Sequence, residues 1–75
     1  MQPDIYSDNN IIYINNLGTE QIKDIIVYDL LGQELLRKQA SNNTVNTVNM
    51  QFATAYYMVK VVTSSNVYTK KVYVK

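Results

Sequence analysis

The alternation of apolar and polar positions along this chain predicts short β-strands throughout its length. β-Branched residues and tyrosines are frequent, and no long window keeps the spacing of an amphipathic helix. Strands are predicted over residues 4–7, 10–15, 21–29, 34–38, 44–50, 56–63 and 67–75. Polar turns separate them, and we expect Gly18 to supply the positive φ of one turn. Seven short antiparallel strands without helices favour an all-β, seven-stranded antiparallel immunoglobulin-like β-sandwich.

The same alternation predicts which side chains face the core. The last two strands are expected to point one set inward: Tyr57, Val59, Val61, Tyr68, Val72 and Val74. Ile12 and Ile14 form a similar inward pair in the second strand. Residues 25–28 are apolar on both faces, which indicates either a central strand covered on its second side or a strand with an exposed apolar outer face that can bind another surface. Two structural alternatives stay open, a small open barrel and a helix over residues 34–40, whose helix propensity is good.

Length and charge narrow the picture further. Seventy-five residues make one domain, 1–75, with a modest core. We interpret residues 1–4 as a linker or expression remnant and Met1 as an expression start. No apolar run approaches the length that spans a bilayer, and the first residues are not a signal-peptide start. Seven basic and six acidic side chains are mixed along the chain, which argues against a nucleic-acid partner.

The residue types available for chemistry are few. The chain has no histidine and no cysteine, so the common catalytic bases, nucleophiles and transition-metal ligands are absent. Its carboxylates are scattered, and Asp4 and Asp8 lack the surrounding ligand spacing of a calcium loop. Gly18 and Gly32 are isolated, so no phosphate-binding loop is predicted. The sequence therefore predicts no enzyme activity, no cofactor, no metal site and no small-molecule substrate.

Exposed tyrosines and lysines are the remaining candidates for binding. Tyr13, Tyr56 and Tyr73 are predicted to face outward, where tyrosine can contact a sugar or a protein. Tyrosine also suits a half-buried pleated surface without any binding role, and only a patch of several would favour binding. Lysines at the end of the chain either discourage edge-to-edge aggregation or form part of a docking surface.

Three segments, in order, resemble a known family. Residues 25–35 read IIVYDLLGQEL and resemble the v-x-I-Y-D-x-x-G-x-x-V hairpin of the C-terminal sorting domains of type IX (Por) secretion in Bacteroidetes. Residues 48–61, VNMQFATAYYMVKV, are similar to the family's I-D-L-S-x-L-x-x-G-x-Y-x-V-x-V segment. The closing KKVYVK, residues 70–75, looks like the family's basic and hydrophobic terminus. The usual Y-P-N-P opening is missing, Ala55 stands where glycine is usual, and Asn49 replaces an aspartate.

The resemblance implies a non-catalytic address label at the C-terminus of a secreted cargo protein. Such a domain folds in the periplasm, is recognised by the outer-membrane translocon, and is typically removed by a surface peptidase. On this chain the implied recognition residues are Gly32, Gln33, Lys70, Lys71, Val72, Tyr73, Val74 and Lys75. Core positions such as Tyr57 are expected to hold the shape that is recognised.

Other functions stay open beside the sorting domain. An immunoglobulin-like adhesion module would bind a glycan or a protein through exposed tyrosines, and a structural spacer would explain the fold alone. A homodimer or strand exchange is a further alternative, because the two-sided apolar strand at residues 25–28 is a candidate for contact between copies.

Overall fold

The computed structural model describes residues 2–75, so the interpretation of Met1 lies outside the described residues. All seven predicted strands are present. They are β1 (Asp4–Asp8), β2 (Ile11–Asn15), β3 (Ile22–Tyr28), β4 (Glu34–Gln39), β5 (Val45–Asn49), β6 (Ala55–Thr63) and β7 (Val67–Val74). The helix alternative for residues 34–40 is wrong, because this segment is β4. Within residues 2–75, the chain forms no helix that is long and apolar enough to cross a bilayer.

The strands form two antiparallel sheets. One has the order β1-β2-β5 and the other has the order β4-β3-β6-β7. The predicted immunoglobulin-like β-sandwich is thereby confirmed. The fourth strand is an edge strand of the larger sheet. Two separate sheets also rule out the small barrel. Asp4 pairs with Asn15, so the folded body already includes the last residue of the segment interpreted as a linker.

The core lies between the two sheets and includes the inward residues predicted for β2 and, apart from Tyr68, those predicted for β6 and β7. Its buried side chains are Ile5, Ile12, Ile14, Ile22, Ile25, Val27, Val48, Met50, Tyr57, Val59, Val61, Val72 and Val74. Tyr68 is half-buried and packs against this cluster, as the alternation predicts. Strict period-two alternation in β6 and β7 therefore places their inner faces correctly.

The two-sided apolar strand is a central one. β3 lies between β4 and β6, so both of its edges are paired and it offers no free edge for strand exchange. Ile26 points away from the core yet is only 2% exposed. Arg37 and Lys60 are its direct neighbours on the two adjoining strands, and the aliphatic stems of such long side chains cover apolar surface well.

Side-chain hydrogen bonds connect the edges of the two sheets. On one side the Lys70 ammonium donates to the carbonyl of Ile5 over 2.7 Å, and the Ser7 hydroxyl donates to the carbonyl of Tyr73. On the other side the Lys38 ammonium donates to the carbonyl of Thr47. Each lysine lies on an edge strand of the larger sheet and reaches an edge strand of the smaller one.

The positive φ expected at Gly18 occurs elsewhere. Asn9 and Asn10, with φ of 51° and 66°, form the two-residue turn between β1 and β2, and Gly32 has φ of 88°. Two consecutive left-handed residues are what a tight hairpin needs, and asparagine tolerates them better than most residues. At Gly18 the backbone N–H instead donates to the Asn16 side-chain oxygen over 3.2 Å, a local asparagine turn that needs no positive φ.

Candidate recognition surface

The turn between β3 and β4 is organised by Asp29. One oxygen of its carboxylate accepts hydrogen bonds from the backbone N–H groups of Leu31 and Gln33, each at 2.9 Å. The Asp29 carbonyl accepts from Gly32 at 3.1 Å, and its N–H donates to the Gln33 carbonyl. At Gly32 the φ of 88° would strain any L side chain. This compact turn therefore requires both an aspartate at position 29 and a glycine three residues later.

The tip of this turn is apolar and exposed. Leu31 is 94% exposed, and Leu30 beside it is also exposed. Neither leucine is among the recognition residues that the sequence predicts. The available signal was two leucines inside a turn, where polar residues are the norm.

Of the six candidate residues of the closing strand, Lys70 is exposed with its ammonium bonded to the Ile5 carbonyl, and the other five form two groups. Lys71, Tyr73 and Lys75 are exposed, as predicted. Val72 and Val74 lie in the core, so in the folded domain neither is available to a partner. Their contribution is to hold β7 against the rest of the domain.

Tyr56, Tyr73 and Lys71 form one patch on the outer face of the larger sheet. Tyr56 and Tyr73 are a direct cross-strand pair with ring centroids 5.0 Å apart, and each ring is about half exposed. The Lys71 ammonium lies 4.8 Å from the centroid of the Tyr56 ring, a cation–π contact. We call these three residues the tyrosine–lysine patch.

A second tyrosine pair lies on the opposite side of the molecule. Tyr6 and Tyr13 are cross-strand neighbours on the outer face of the smaller sheet, stacked at 5.1 Å and nearly parallel. No cation–π contact accompanies this pair among residues 2–75. The two pairs are therefore on different faces and do not make one continuous aromatic surface.

The β3–β4 turn and the end of β7 lie at the same end of the larger sheet. β6 begins at Ala55, opposite Val74, and runs past Met58, opposite the last residue of β3. β3 and β7 flank β6, so they are about 10 Å apart at the usual strand spacing. One end of the sandwich thus holds both the turn with Gly32 and Gln33 and the exposed residues at the end of β7. We call it the recognition end.

The loop entering β6 is also at the recognition end and is fixed by Tyr57. The buried Tyr57 donates its hydroxyl to the Ala53 carbonyl, and its ring lies 6.4 Å from that of Phe52. A tyrosine whose hydroxyl bonds to the backbone a few residues upstream is known in immunoglobulin-like sandwiches as a tyrosine corner. Ala55 has no positive φ, so alanine causes no backbone strain at the position where the sorting domains that the sequence resembles usually have glycine.

Two shallow clefts lie at opposite ends of the domain. A cleft of about 190 Å³ at the recognition end is lined by Ser7, Asp8, Asn9, Tyr73 and Lys75. A larger, polar cleft of about 370 Å³ lies between the β2–β3 and β4–β5 loops. Among residues 2–75, no three acidic side chains come close enough to hold a metal ion.

Glu20 fixes the turn between β6 and β7 at the end opposite the recognition end. Its carboxylate accepts hydrogen bonds from the hydroxyl of Thr63 and the side-chain amide of Asn66, both at 2.8 Å, and from the hydroxyl and N–H of Ser65. These donors, with the Ser65 hydroxyl first, lower the pKa of Glu20 from 4.5 to about 2. In the sequence Glu20 is one of the scattered carboxylates, because its partners lie more than forty residues away.

Acid should therefore destabilise the domain through Glu20. Because its pKa is lowered in the folded state, the unfolded chain binds more protons below pH 4.5, and the contribution of Glu20 is lost as pH falls from about 4.5 to about 2. We expect Glu20→Gln to be less stable than wild type at neutral pH and to show a flatter pH dependence in that window. Thermal unfolding followed by circular dichroism from pH 7 to pH 2 measures both. Glu34→Gln, at the recognition end, should retain the Glu20 contribution, and parallel curves for wild type and Glu20→Gln would contradict this role.

Comparison with known families gives one result that covers the whole fold. A family described as Domain of unknown function DUF8694 matches residues 4–74. Comparison with curated proteins gives no match. Because the matched region runs from the first residue of β1 to the last residue of β7, this chain belongs to the DUF8694 family.

Proposed function

We propose that this chain is a non-catalytic sorting domain that directs a cargo protein through the type IX secretion system to the cell surface. Three features of the fold support the proposal. The Y-D-x-x-G spacing corresponds to the Asp29 and Gly32 turn, the tyrosine of the second motif is the buried corner residue Tyr57, and the third motif is strand β7. Each motif thus corresponds to a defined structural element of this fold.

The observation that carries the proposal is the common location of these features. The β3–β4 turn, the loop held by Tyr57 and the end of β7 all lie at the recognition end. β1 runs toward that end, because Ser7 bonds to Tyr73 near the end of β7 while Ile5 bonds to Lys70 farther back. A cargo joined before Asp4 would therefore leave from the opposite end, and the recognition end would stay accessible.

The recognition residues then have distinct roles. Lys71, Tyr73 and Lys75 contact the translocon, together with the β3–β4 turn at Gly32 and Gln33. Leu31 adds an apolar contact at the tip of that turn. The partners in this proposal are the outer-membrane translocon and then a surface sorting peptidase, with the domain passing through the periplasm on its way to the surface.

A reporter protein tests the proposal directly. Residues 1–75 are fused to the C-terminus of a periplasm-targeted reporter, expressed in a bacterium with a type IX system, and surface display is measured by protease accessibility on intact cells. We expect display of the wild-type fusion. We expect display to fall at least about tenfold for the pair Lys71→Ala and Tyr73→Ala, a loss equivalent to about 1.4 kcal/mol of binding.

The matched control replaces an exposed lysine of β3 and an exposed tyrosine on the outer face of the smaller sheet, by Lys23→Ala and Tyr6→Ala. This variant should be displayed like wild type, and both variants should unfold at similar temperatures when purified. A wild-type fusion that stays inside the cell, or that reaches the surface equally in a strain without the translocon, would overturn the sorting function.

The tyrosine–lysine patch favours adhesion as the second candidate function. Two half-exposed rings beside an ammonium group can stack on a sugar and bind its acidic substituents. The same patch serves either function, so failure of export combined with saturable binding of an acidic glycan would favour adhesion.

A further inference from the structure

We propose that the free edge of β5 is a contact site for β5 of a second copy of this chain, and that Lys38 controls access to it. This proposal is independent of the sorting function. It concerns the backbone edge of the smaller sheet, on the side of the sandwich away from β7.

β5 is the uncharged edge of the sandwich. β1 and β7 lie side by side and are joined by the bonds of Lys70 and Ser7. β4 carries Glu34, Arg37 and Lys38 within six residues, and its pairing with β3 is interrupted by a bulge. β5, reading VNTVN, has no charged residue and no proline, and it pairs with β2 over its whole length without a register shift. Charged residues, bulges and proline are the usual protection of an edge strand, and β5 itself has none of them.

The backbone groups that face outward from β5 are known from its bonds to β2. Next to β5, the Met50 N–H donates to the Asn10 carbonyl at 2.8 Å, and the Thr44 carbonyl accepts from Asn16 at 2.8 Å. Along a strand these directions alternate, so the even-numbered residues face β2 and the odd-numbered ones, Val45, Thr47 and Asn49, face away. All three are exposed.

The β5 edges of two copies can pair with each other as antiparallel strands centred on Thr47. A two-fold axis there pairs Thr47 with Thr47 of the second copy and Val45 with Asn49, and each residue exchanges both of its outward backbone bonds. Thr–Thr pairs across strands are favourable, and no like charges meet. Because Tyr6, Tyr13 and Thr47 form one row on the outer face, the joined sheets would carry a continuous row from one copy into the other.

Lys38 occupies the centre of this edge in the monomer. Its ammonium donates a hydrogen bond to the outward carbonyl of Thr47, and this oxygen is the one that must accept the Thr47 N–H of the second copy in the two-fold pair. Dimer formation must therefore release Lys38 in both copies. Since a five-residue strand pair is far smaller than a standard interface of ~1,600 Å², we expect wild type to associate weakly, with Kd on the order of millimolar.

Sedimentation equilibrium over a wide concentration range tests the proposal. We expect Lys38→Met, which keeps the apolar stem and removes the donor, to lower the dimer Kd by about tenfold or more, since a bond from a charged donor is given up in each copy. Lys23→Met removes one positive charge elsewhere and should behave like wild type. In the Lys38→Met background, Thr47→Pro removes the outward N–H without touching the β2 ladder, and Thr47→Lys places two ammonium groups opposite each other; both should restore the monomer.

Amide hydrogen exchange gives a second measurement that needs no Thr47 variant. In Lys38→Met, protection at Val45, Thr47 and Asn49 should rise with protein concentration. A monomer at every concentration for both wild type and Lys38→Met would overturn the proposal. So would a dimer that persists in Thr47→Pro and Thr47→Lys, because it would use another surface.

Discussion

Tyr57→Ala is expected to lower the free energy of unfolding by about 3–5 kcal/mol. The ring is 5% exposed and lies in the core, and its hydroxyl fixes the loop before β6 through the Ala53 carbonyl. A domain of 75 residues has roughly 4–11 kcal/mol of stability in total, taking ~0.05–0.15 kcal/mol per residue. A single substitution at Tyr57 therefore removes a large part of what holds the fold together.

Two further variants separate the contributions of the ring and the hydroxyl. Tyr57→Phe keeps the ring and loses only the bond to Ala53, so we expect a loss of about 1 kcal/mol. Tyr56→Ala changes the adjacent, half-exposed tyrosine on the opposite face and should cost less than Tyr57→Ala by at least about 2 kcal/mol. Urea denaturation monitored by circular dichroism gives all three values. Equal losses for Tyr56→Ala and Tyr57→Ala would show that Tyr57 is not a core residue.

The strands and their inner faces could be predicted because both depend on local alternation. In β6 every second side chain from Tyr57 to Thr63 is buried, and the period of two alone assigns these positions. β4 was the ambiguous case, since its residues also suit a helix. Its pairing with β3, which aligns Leu36 with Val27, outweighs that propensity, and such tertiary context is absent from a local pattern.

The contacts that join distant parts of the chain could not be predicted. Glu20 bonds to Thr63 across 43 residues, and Lys70 bonds to Ile5 across 65. Nothing near Glu20 in the sequence distinguishes it from a solvated carboxylate, because its donors become neighbours only when the sheet has formed. The Asn9–Asn10 turn is a different case. Consecutive asparagines between two strands are a recognisable signal for a two-residue hairpin with positive φ, whereas glycine alone, as at Gly18, does not require a positive φ.

The candidate site was partly predicted for the same reason. Motif resemblance selects a continuous segment such as residues 70–75, whereas a β-strand presents only alternate residues to a partner. The predicted recognition residues therefore include Val72 and Val74 together with Lys71 and Tyr73, although the two valines face the core. Within one short motif, some residues maintain the fold and others are available for recognition, and the pleat separates the two groups.

Val72→Asp and Tyr73→Asp place the same carboxylate on the two faces of β7 and should lower the stability of the fold by very different amounts. Val72 is 6% exposed and pairs with Tyr57, so an aspartate there buries a charge without a partner, at an expected cost of at least about 3 kcal/mol. Tyr73 is 47% exposed, so an aspartate there stays hydrated, and we expect a loss of about 1 kcal/mol or less, mainly from its contact with Tyr56. Thermal and urea unfolding of the two purified variants measure the difference. If the sorting function is correct, Val72→Asp loses surface display because the domain is strongly destabilised, and Tyr73→Asp loses it although the domain keeps nearly all of its stability. Similar stabilities for the two variants would mean that β7 is not packed against the core as described.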